Sequence, residues 1–284
     1  MDKSVTIVIP VFNEQDSIST VVKNLKHHLP DTSIIIVDDG STDLTAENIT
    51  DLNATIINHS RCYGYGTALR SGIEASETDF ILFCDGDGQH QAKDVVKIIE
   101  NSGDFDMVVG TRDKNSHSQL NRVPGKAVLK WFADTLLGEK IPDLNSGLRM
   151  VRKSIIIKYL HLMPQGFSFS TTSTFAFIKD NRSVKWVPIR TKQRTGTSSV
   201  KQLKDGPSVL LLLLRLSILF EPLKIFLFAT FILFFSTVLS VLFNIYFQGE
   251  FNITDTSVIL GLGTLIVFLS GLLCDQVSAI RRNI

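Results

Sequence analysis

Cysteine is scarce in this chain: three in 284 residues, at Cys62, Cys84 and Cys274. They are odd in number and lack metal-ligand spacing, which argues against a disulfide framework and suits a reducing cytosol. An excess of one charge is missing as well. The formal net charge of +1 points neither to a nucleic-acid binder nor to an acidic tail. No secretory leader is expected, because the first apolar run, VTIVIPV at 5–11, is short and carries Pro10 near its end. The N-terminal region is therefore expected to stay in the cytoplasm. No GxxxxGK[ST] loop occurs, and GYGTALRSG at 64–72 is neither a P-loop nor a true GxGxxG. That excludes the common nucleoside-triphosphatase reading.

What the sequence does have is an apolar last third. Residues 225–243 and 256–274 carry no charge, and each is long enough to cross a bilayer core of roughly 30 Å at about 1.5 Å per residue. Two crossings return the chain to its starting side. Lys201, Lys204, Arg215 and Lys224 precede the first run and Arg281 and Arg282 follow the second. Both termini are thus expected on the cytoplasmic side. The stretch VLLLLLRLSILF at 209–220 is too short to span and reads as an interfacial helix ended near Pro222. Residues 179–204 are strongly basic, which suits adhesion to anionic membrane lipids. Gly261, Gly263 and Gly271 permit close helix contacts, within the hairpin or in a homo-oligomer. The expected organisation is a catalytic domain over 1–200, a juxtamembrane region over 201–222 and a two-helix hairpin over 223–284.

Upstream, short β-branched runs recur at 5–11, 33–39, 54–60, 79–85 and 106–112. Between them, Ile18, Val21, Val22, Leu25 and Leu29 keep helical spacing over 16–29, and 67–76 and 92–101 repeat the pattern. Strand–helix alternation predicts an α/β fold with a mostly parallel sheet flanked by helices. Ligands of such sheets sit at the carboxyl ends of the strands. PVFNE (10–14), DDGSTD (38–43) and DGDGQH (85–90) leave strands there. Ser41, Thr42 and Asp43 suit helix caps, but crowded carboxylates on one rim repel unless a cation or donor-rich ligand compensates them.

FCDGDGQH at 83–90 narrows the cation. Gln89 and His90 replace the next ligand and glycine of a calcium loop, and no glutamate closes it. A zinc site would use more His and Cys than Cys84 and His90 provide. Oxygen donors in small number suit Mg²⁺ or Mn²⁺ shared with substrate phosphates.

PVFNE, DDGSTD, CDGDGQH, GTR at 110–112 and DLNSGLRM at 143–150, in that order, resemble the family 2 glycosyltransferases. More narrowly they are similar to the dolichyl/polyprenyl-phosphate sugar synthases of bacterial membrane-anchored type. The resemblance implies a GT-A (Rossmann-like) fold, a UDP- or GDP-sugar donor, a polyprenyl or dolichyl phosphate acceptor and inversion at the anomeric centre. It implies that Pro10, Phe12, Glu14 and Asp39, with Asp38 and Asp43, cradle the nucleoside. Asp85 then faces the ribose or sugar close to the metal, Asp87 ligates the metal and Gln89 joins it. Cys62 departs from the asparagine that relatives often carry before the GYG segment.

On the acceptor side the resemblance gives Arg112, Arg122 and Lys126 to the lipid phosphate, with Arg190 and Arg194 closing over it. Arginine suits this because its planar fork binds phosphate bidentately. Asp143 matches a proposed catalytic base. A phosphate oxygen is already anionic, so an orienting role for Asp143 stands equally. Arg149 reads as a structural ion-pair partner. Two alternatives remain: another family 2 transferase, such as a processive polysaccharide synthase, and a non-catalytic membrane assembly subunit. The first would carry QxxRW and more spans; the second would not need Asp85, Asp87, Arg112 and Asp143 intact.

Overall fold

The structure, a computed structural model, describes residues 4–112, 134, 138, 140–144, 146–166, 168–191, 211, 214–215, 217–218, 220–248 and 254–282. The chain divides into two compact units, Met1–Gly206 and Pro207–Ile284.

The first unit is built on strands β1 (Val5–Val11), β2 (Ser33–Asp38), β3 (Thr55–Asn58), β4 (Phe80–Phe83), β5 (Met107–Arg112), β6 (Arg149–Arg152) and β7 (Val184–Ile189). Their order in one sheet is β3-β2-β1-β4-β6-β5-β7. β6 runs antiparallel to both its neighbours, and every other pair is parallel. The continuous runs in β1, β2 and β4 are buried because helices cover both faces of the sheet, as parallel strands require. Helix α1 (Ile18–His28) buries Ile18, Val21, Val22 and Leu25, the spacing read from the sequence. Helix α2 (Thr45–Ile49) is a single short turn, α3 (Tyr65–Ala75) buries Ala68, Leu69 and Ile73, and α4 (Ala92–Glu100) buries Val95 and Ile98. After β6 come α5 (Lys153–Tyr159) and then α6 (Phe169–Lys179), which is buried from Phe169 through Phe177.

This register sets the site. The carboxyl ends of β1, β2, β4, β5 and β7, at Val11, Asp38, Phe83, Arg112 and Ile189, lie at one sheet edge. Because β6 is reversed, its amino end arrives at that edge instead. Arg149 pairs with Phe83 of β4 and Val109 of β5. The loops leading out of β1, β2 and β4, the end of β5 at Arg112 and the loop leading into β6 therefore meet.

The second unit contains α7 (Pro222–Gln248) and α8 (Asp255–Arg282). Pro222 opens α7, where its missing N–H costs nothing. Over Pro222–Phe247 and Asp255–Ile280 the mean hydropathy is 2.5 and 2.3, long and apolar enough to cross a membrane. Large side chains such as Phe228, Phe231 and Ile266 are exposed along them, as helices facing lipid would have them. The two helices run antiparallel. Ser240 Oγ lies 2.9 Å from Ser257 Oγ, and Asn244 Nδ2 donates to Thr254 Oγ1 at 3.3 Å near the connecting turn. Further along, a side chain at Gly271 would press against Phe226. Leu211, Leu214, Arg215, Ser217, Ile218 and Phe220 are helical, within the stretch read as interfacial.

Candidate active site

The loops after β1 and β2 are stitched together by side chains reaching across. Asn13, at φ +56°, donates its N–H to Ser41 Oγ (3.0 Å) and accepts the Thr42 N–H on Oδ1 (2.8 Å). The Glu14 N–H donates to Thr45 Oγ1 (2.8 Å), and the Gln15 N–H to Asp43 Oδ2 (3.3 Å). Asp43 Oδ1 accepts the Thr45 N–H at 2.9 Å, a local turn just ahead of α2, whose N-cap position is Leu44. Asp38 Oδ1 accepts the Ser41 N–H at 2.9 Å, so it closes its own turn. Ser17 Oγ donates to the Gly86 carbonyl at 2.7 Å and lies 3.2 Å from Glu14 Oε2, tying the first loop to the DGDG segment. Pro10 is buried in β1 opposite Val37, and Phe12 is half-buried at the strand exit.

Asp39 is a hub. Its Oδ1 accepts from His59 Nδ1 (2.7 Å) and the Tyr63 N–H (3.0 Å); Oδ2 accepts from the Gly64 N–H (2.7 Å) and the Cys62 thiol (3.2 Å). His59 Nε2 is held by Ser71 Oγ at 2.9 Å. Burial alone would raise the Asp39 pKa, but the donors, His59 foremost, outweigh it and hold the carboxyl below its usual range. Cys62, the departure noted in the sequence, thus supplies a donor to Asp39. The glycine beside it is required: Gly64 sits at φ +105°, and a Cβ there would lie 2.6 Å from the Gln165 carbonyl oxygen.

In the loop after β4, Asp87 Oδ1 accepts the Gln89 N–H at 3.1 Å, and Asp87 is buried. Asp85 Oδ1 accepts the buried Tyr65 hydroxyl at 2.9 Å, and its Oδ2 lies 3.5 Å from His90 Nε2. The loop entering β6 presses on the same carboxylate, and a Cβ at Gly147 would collide with Asp85 Oδ2. Among the described residues no three His, Cys, Asp or Glu side chains form a ready metal cage. The oxygen donors of Asp85, Asp87 and Gln89 fit Mg²⁺ or Mn²⁺, which keep water and substrate ligands, better than a metal needing a full protein shell.

Arg112 ends β5 and meets Asp143 side-on, Nε to Oδ2 at 2.8 Å and Nη2 to Oδ1 at 3.0 Å. The Asp143 hydrogen bond raises the Arg112 pKa, so its charge is secure. Arg149 corrects the sequence reading. It is fully buried, and its described hydrogen bonds go to the Ser146 and Ser170 carbonyls and the Ser173 and Thr174 hydroxyls, not to an acid. Burial pushes its pKa down to about 10, against the pull of Tyr65, Asp143 and Asp85. Arg190 follows β7 directly, one residue past the Arg112–Ile189 pair, with its side chain exposed. Its backbone is held at the start of α4, where the Gln91 side-chain amide donates to the Arg190 carbonyl at 3.3 Å. Arg122, Lys126 and Arg194 lie outside the described residues.

A family model described as glycosyl transferase family 2 matches residues 6–160, spanning every loop just described except that around Arg190. The chain belongs to that family. A second model, a GtrB C-terminal hairpin, matches residues 221–280, and with the two long apolar helices it makes this family 2 transferase a membrane protein. A UDP-N-acetylglucosamine–dolichyl-phosphate N-acetylglucosaminyltransferase of Methanococcus voltae is 32% identical over 67% of this chain and 86% of its own. An undecaprenyl-phosphate 4-deoxy-4-formamido-L-arabinose transferase of Pectobacterium carotovorum is 26% identical over 71% of this chain, which spans 64% of that longer protein. Among solved structures, glucosyl-3-phosphoglycerate synthase of Mycobacterium tuberculosis, in complex with Mn²⁺ and UDP, superposes with a TM-score of 0.62. It is 16% identical and covers 76% of this chain and 80% of its own, so the likeness is one of fold, GT-A.

Tyr65, His59 and the Ser/Thr lining of Arg149 escaped the sequence reading. For Tyr65 and His59 the available signal is their place within or just before the GYG segment at 64–66. Nothing in the sequence marked the Arg149 lining.

Proposed function

We propose that this transferase moves one hexose from a UDP- or GDP-sugar to a polyprenyl or dolichyl phosphate at the cytoplasmic membrane face. The observation that carries the reading is the meeting of two chemistries at one sheet edge. Carboxylate loops after β1, β2 and β4 lie beside a pair, Arg112 and Asp143, suited to an anionic acceptor. The named relatives, whose acceptors are lipid phosphates, and the hairpin favour a lipid phosphate over a soluble one.

In this reading the loops around Pro10, Phe12, Glu14 and Asp39 receive the nucleoside, with Asp38 and Asp43 shaping them. Asp87, Gln89 and Asp85 would hold Mg²⁺ or Mn²⁺, whose Lewis acidity supports departure of the nucleoside diphosphate. Arg112 binds the acceptor phosphate with Arg190, and with Arg122, Lys126 and Arg194 from the flanking segments. One phosphate oxygen attacks the anomeric carbon in line as the bond to the nucleoside diphosphate breaks, inverting the centre. The attacking oxygen is already anionic, so Asp143 serves by orienting Arg112 rather than by removing a proton. The catalytic domain covers 1–200, the juxtamembrane region 201–222 and the hairpin 223–284. Basic residues before the first span and after the second favour cytoplasmic termini.

The test is turnover by the purified full chain with Mg²⁺ or Mn²⁺, a panel of labelled UDP- and GDP-sugars and a polyprenyl phosphate. A lipid-linked monosaccharide is expected, reduced at least about a hundredfold by Asp87→Ala. Absence of lipid-linked product with every donor would refute the proposal.

A further inference from the structure

Resting on the donor-site reading, we infer that Tyr65 is a positioning residue: its buried hydroxyl fixes the orientation of the Asp85 carboxylate toward the donor and its cation.

Tyr65 opens α3, directly after the Gly64 turn that the Asp39 hub holds in place. It comes from a different part of the chain than the DGDG loop, yet its hydroxyl reaches Asp85 Oδ1 at 2.9 Å. An aspartate at a strand exit has two free torsions, and metal or ribose contacts need a particular carboxylate plane. Three neighbours restrict that plane here. Tyr65 donates to Oδ1, His90 Nε2 stands 3.5 Å from Oδ2, and the Gly147 backbone also lies on the Oδ2 side, where a Cβ would collide. Of these the phenol is the firm donor. An ionised carboxylate can only accept, so the phenolic O–H is the partner that donates. A hydrogen bond in which a carboxylate accepts is charge-assisted, stronger and more directional than one between neutral groups. The contact also ties the two halves of the donor site together. The turn that satisfies Asp39 and the tyrosine that aims Asp85 are consecutive residues, Gly64 and Tyr65.

The experiment is a double-mutant cycle on the full chain in detergent micelles, using Tyr65→Phe, Asp85→Asn and the pair. Binding of Mn²⁺ with UDP, and of Mn²⁺ with GDP, is measured by calorimetry, alongside donor and acceptor KM and the melting temperature. Tyr65→Phe should weaken binding of the Mn²⁺–nucleotide pair roughly tenfold and raise donor KM comparably, with acceptor KM within about twofold. In the Asp85→Asn background the same change should cost less than about twofold, because the hydroxyl acts through that carboxylate. Nucleotide binding by Tyr65→Phe at the wild-type level, or an equal loss in both backgrounds, would overturn the inference. A lowered melting temperature with unchanged nucleotide binding would likewise make Tyr65 merely structural. Wild-type protein that binds neither nucleotide with Mn²⁺ would overturn the donor-site reading and this inference with it.

Discussion

Arg112 and Asp143 face each other fork to carboxylate, both Asp143 oxygens accepting from one guanidinium at 2.8 and 3.0 Å. A carboxylate engaged in this way is well placed to aim a cation and poorly placed to collect a proton. Asp143→Asn should therefore lower kcat/KM for the acceptor by about 10- to 100-fold through misorientation of Arg112. The acidic limb of the pH–rate profile should persist in the variant. If Asp143 were the general base, that limb would vanish with it. Arg112→Lys, which keeps the charge and loses the fork, should show a similar loss.

Asp39 predicts an acid sensitivity with a definite sign. Four donors favour its ionised form in the fold, so the unfolded chain, with a carboxyl near pKa 3.9, takes up the proton first as pH falls. The contribution is fully present above about pH 4 and is lost as pH drops through the lower folded value. Asp39→Asn should reduce stability at pH 7 by about 2 kcal/mol and flatten the decline below pH 4. Melting temperatures from pH 7 down to pH 3 check both parts.

Arg149 is a buried charge whose described hydrogen-bond partners are all neutral. Arg149→Met should cost about 3 kcal/mol, because the Ser146 carbonyl loses its guanidinium donors in a dry interior and the Ser170 carbonyl loses one of its donors. Thermal unfolding of the full chain in detergent reads this directly. Because Ser146 and Gly147 belong to the loop against Asp85 and Asp143, turnover should fall at temperatures where the variant is still folded.

The grip of α4 on Arg190 gives a prediction confined to the acceptor. Gln91→Ala removes the amide that holds the Arg190 carbonyl. It should raise polyprenyl-phosphate KM several-fold, on the order of one hydrogen bond, while donor KM stays within about twofold. Steady-state kinetics with each substrate varied in turn separates the two.

Of the strands legible in the sequence, β1, β2 and β4 are buried on both faces, while β3 is only partly buried and was legible from its short Ile56–Ile57 run. Ile7, Ile9, Ile36 and Leu82 sit in runs whose β-branched density leaves little else possible. β6 was not legible, since RMVR is four residues framed by two arginines. β7 carries Lys185 and Pro188, as an edge strand can, and so reads as a loop. Helix α6 hides for a different reason. Its Ser173 and Thr174 hydroxyls turn inward to satisfy Arg149, which erases the polar–apolar period by which a helix is recognised. In the site, motif spacing located Asp39, Asp85 and Arg112, but the partners that hold them are far off in sequence. Neither Tyr65 to Asp85 nor Arg112 to Asp143 follows from a local pattern.

The reversed strand β6 has a consequence for how the two halves of the site are held. Because β5 ends and β6 begins at the same edge, with Val109 and Arg149 side by side, one pairing sets the places of both Arg112 and the loop entering β6. That pairing and the Arg149 socket anchor the cationic side of the site to the same sheet that carries the carboxylate loops, so neither side can shift without straining the other.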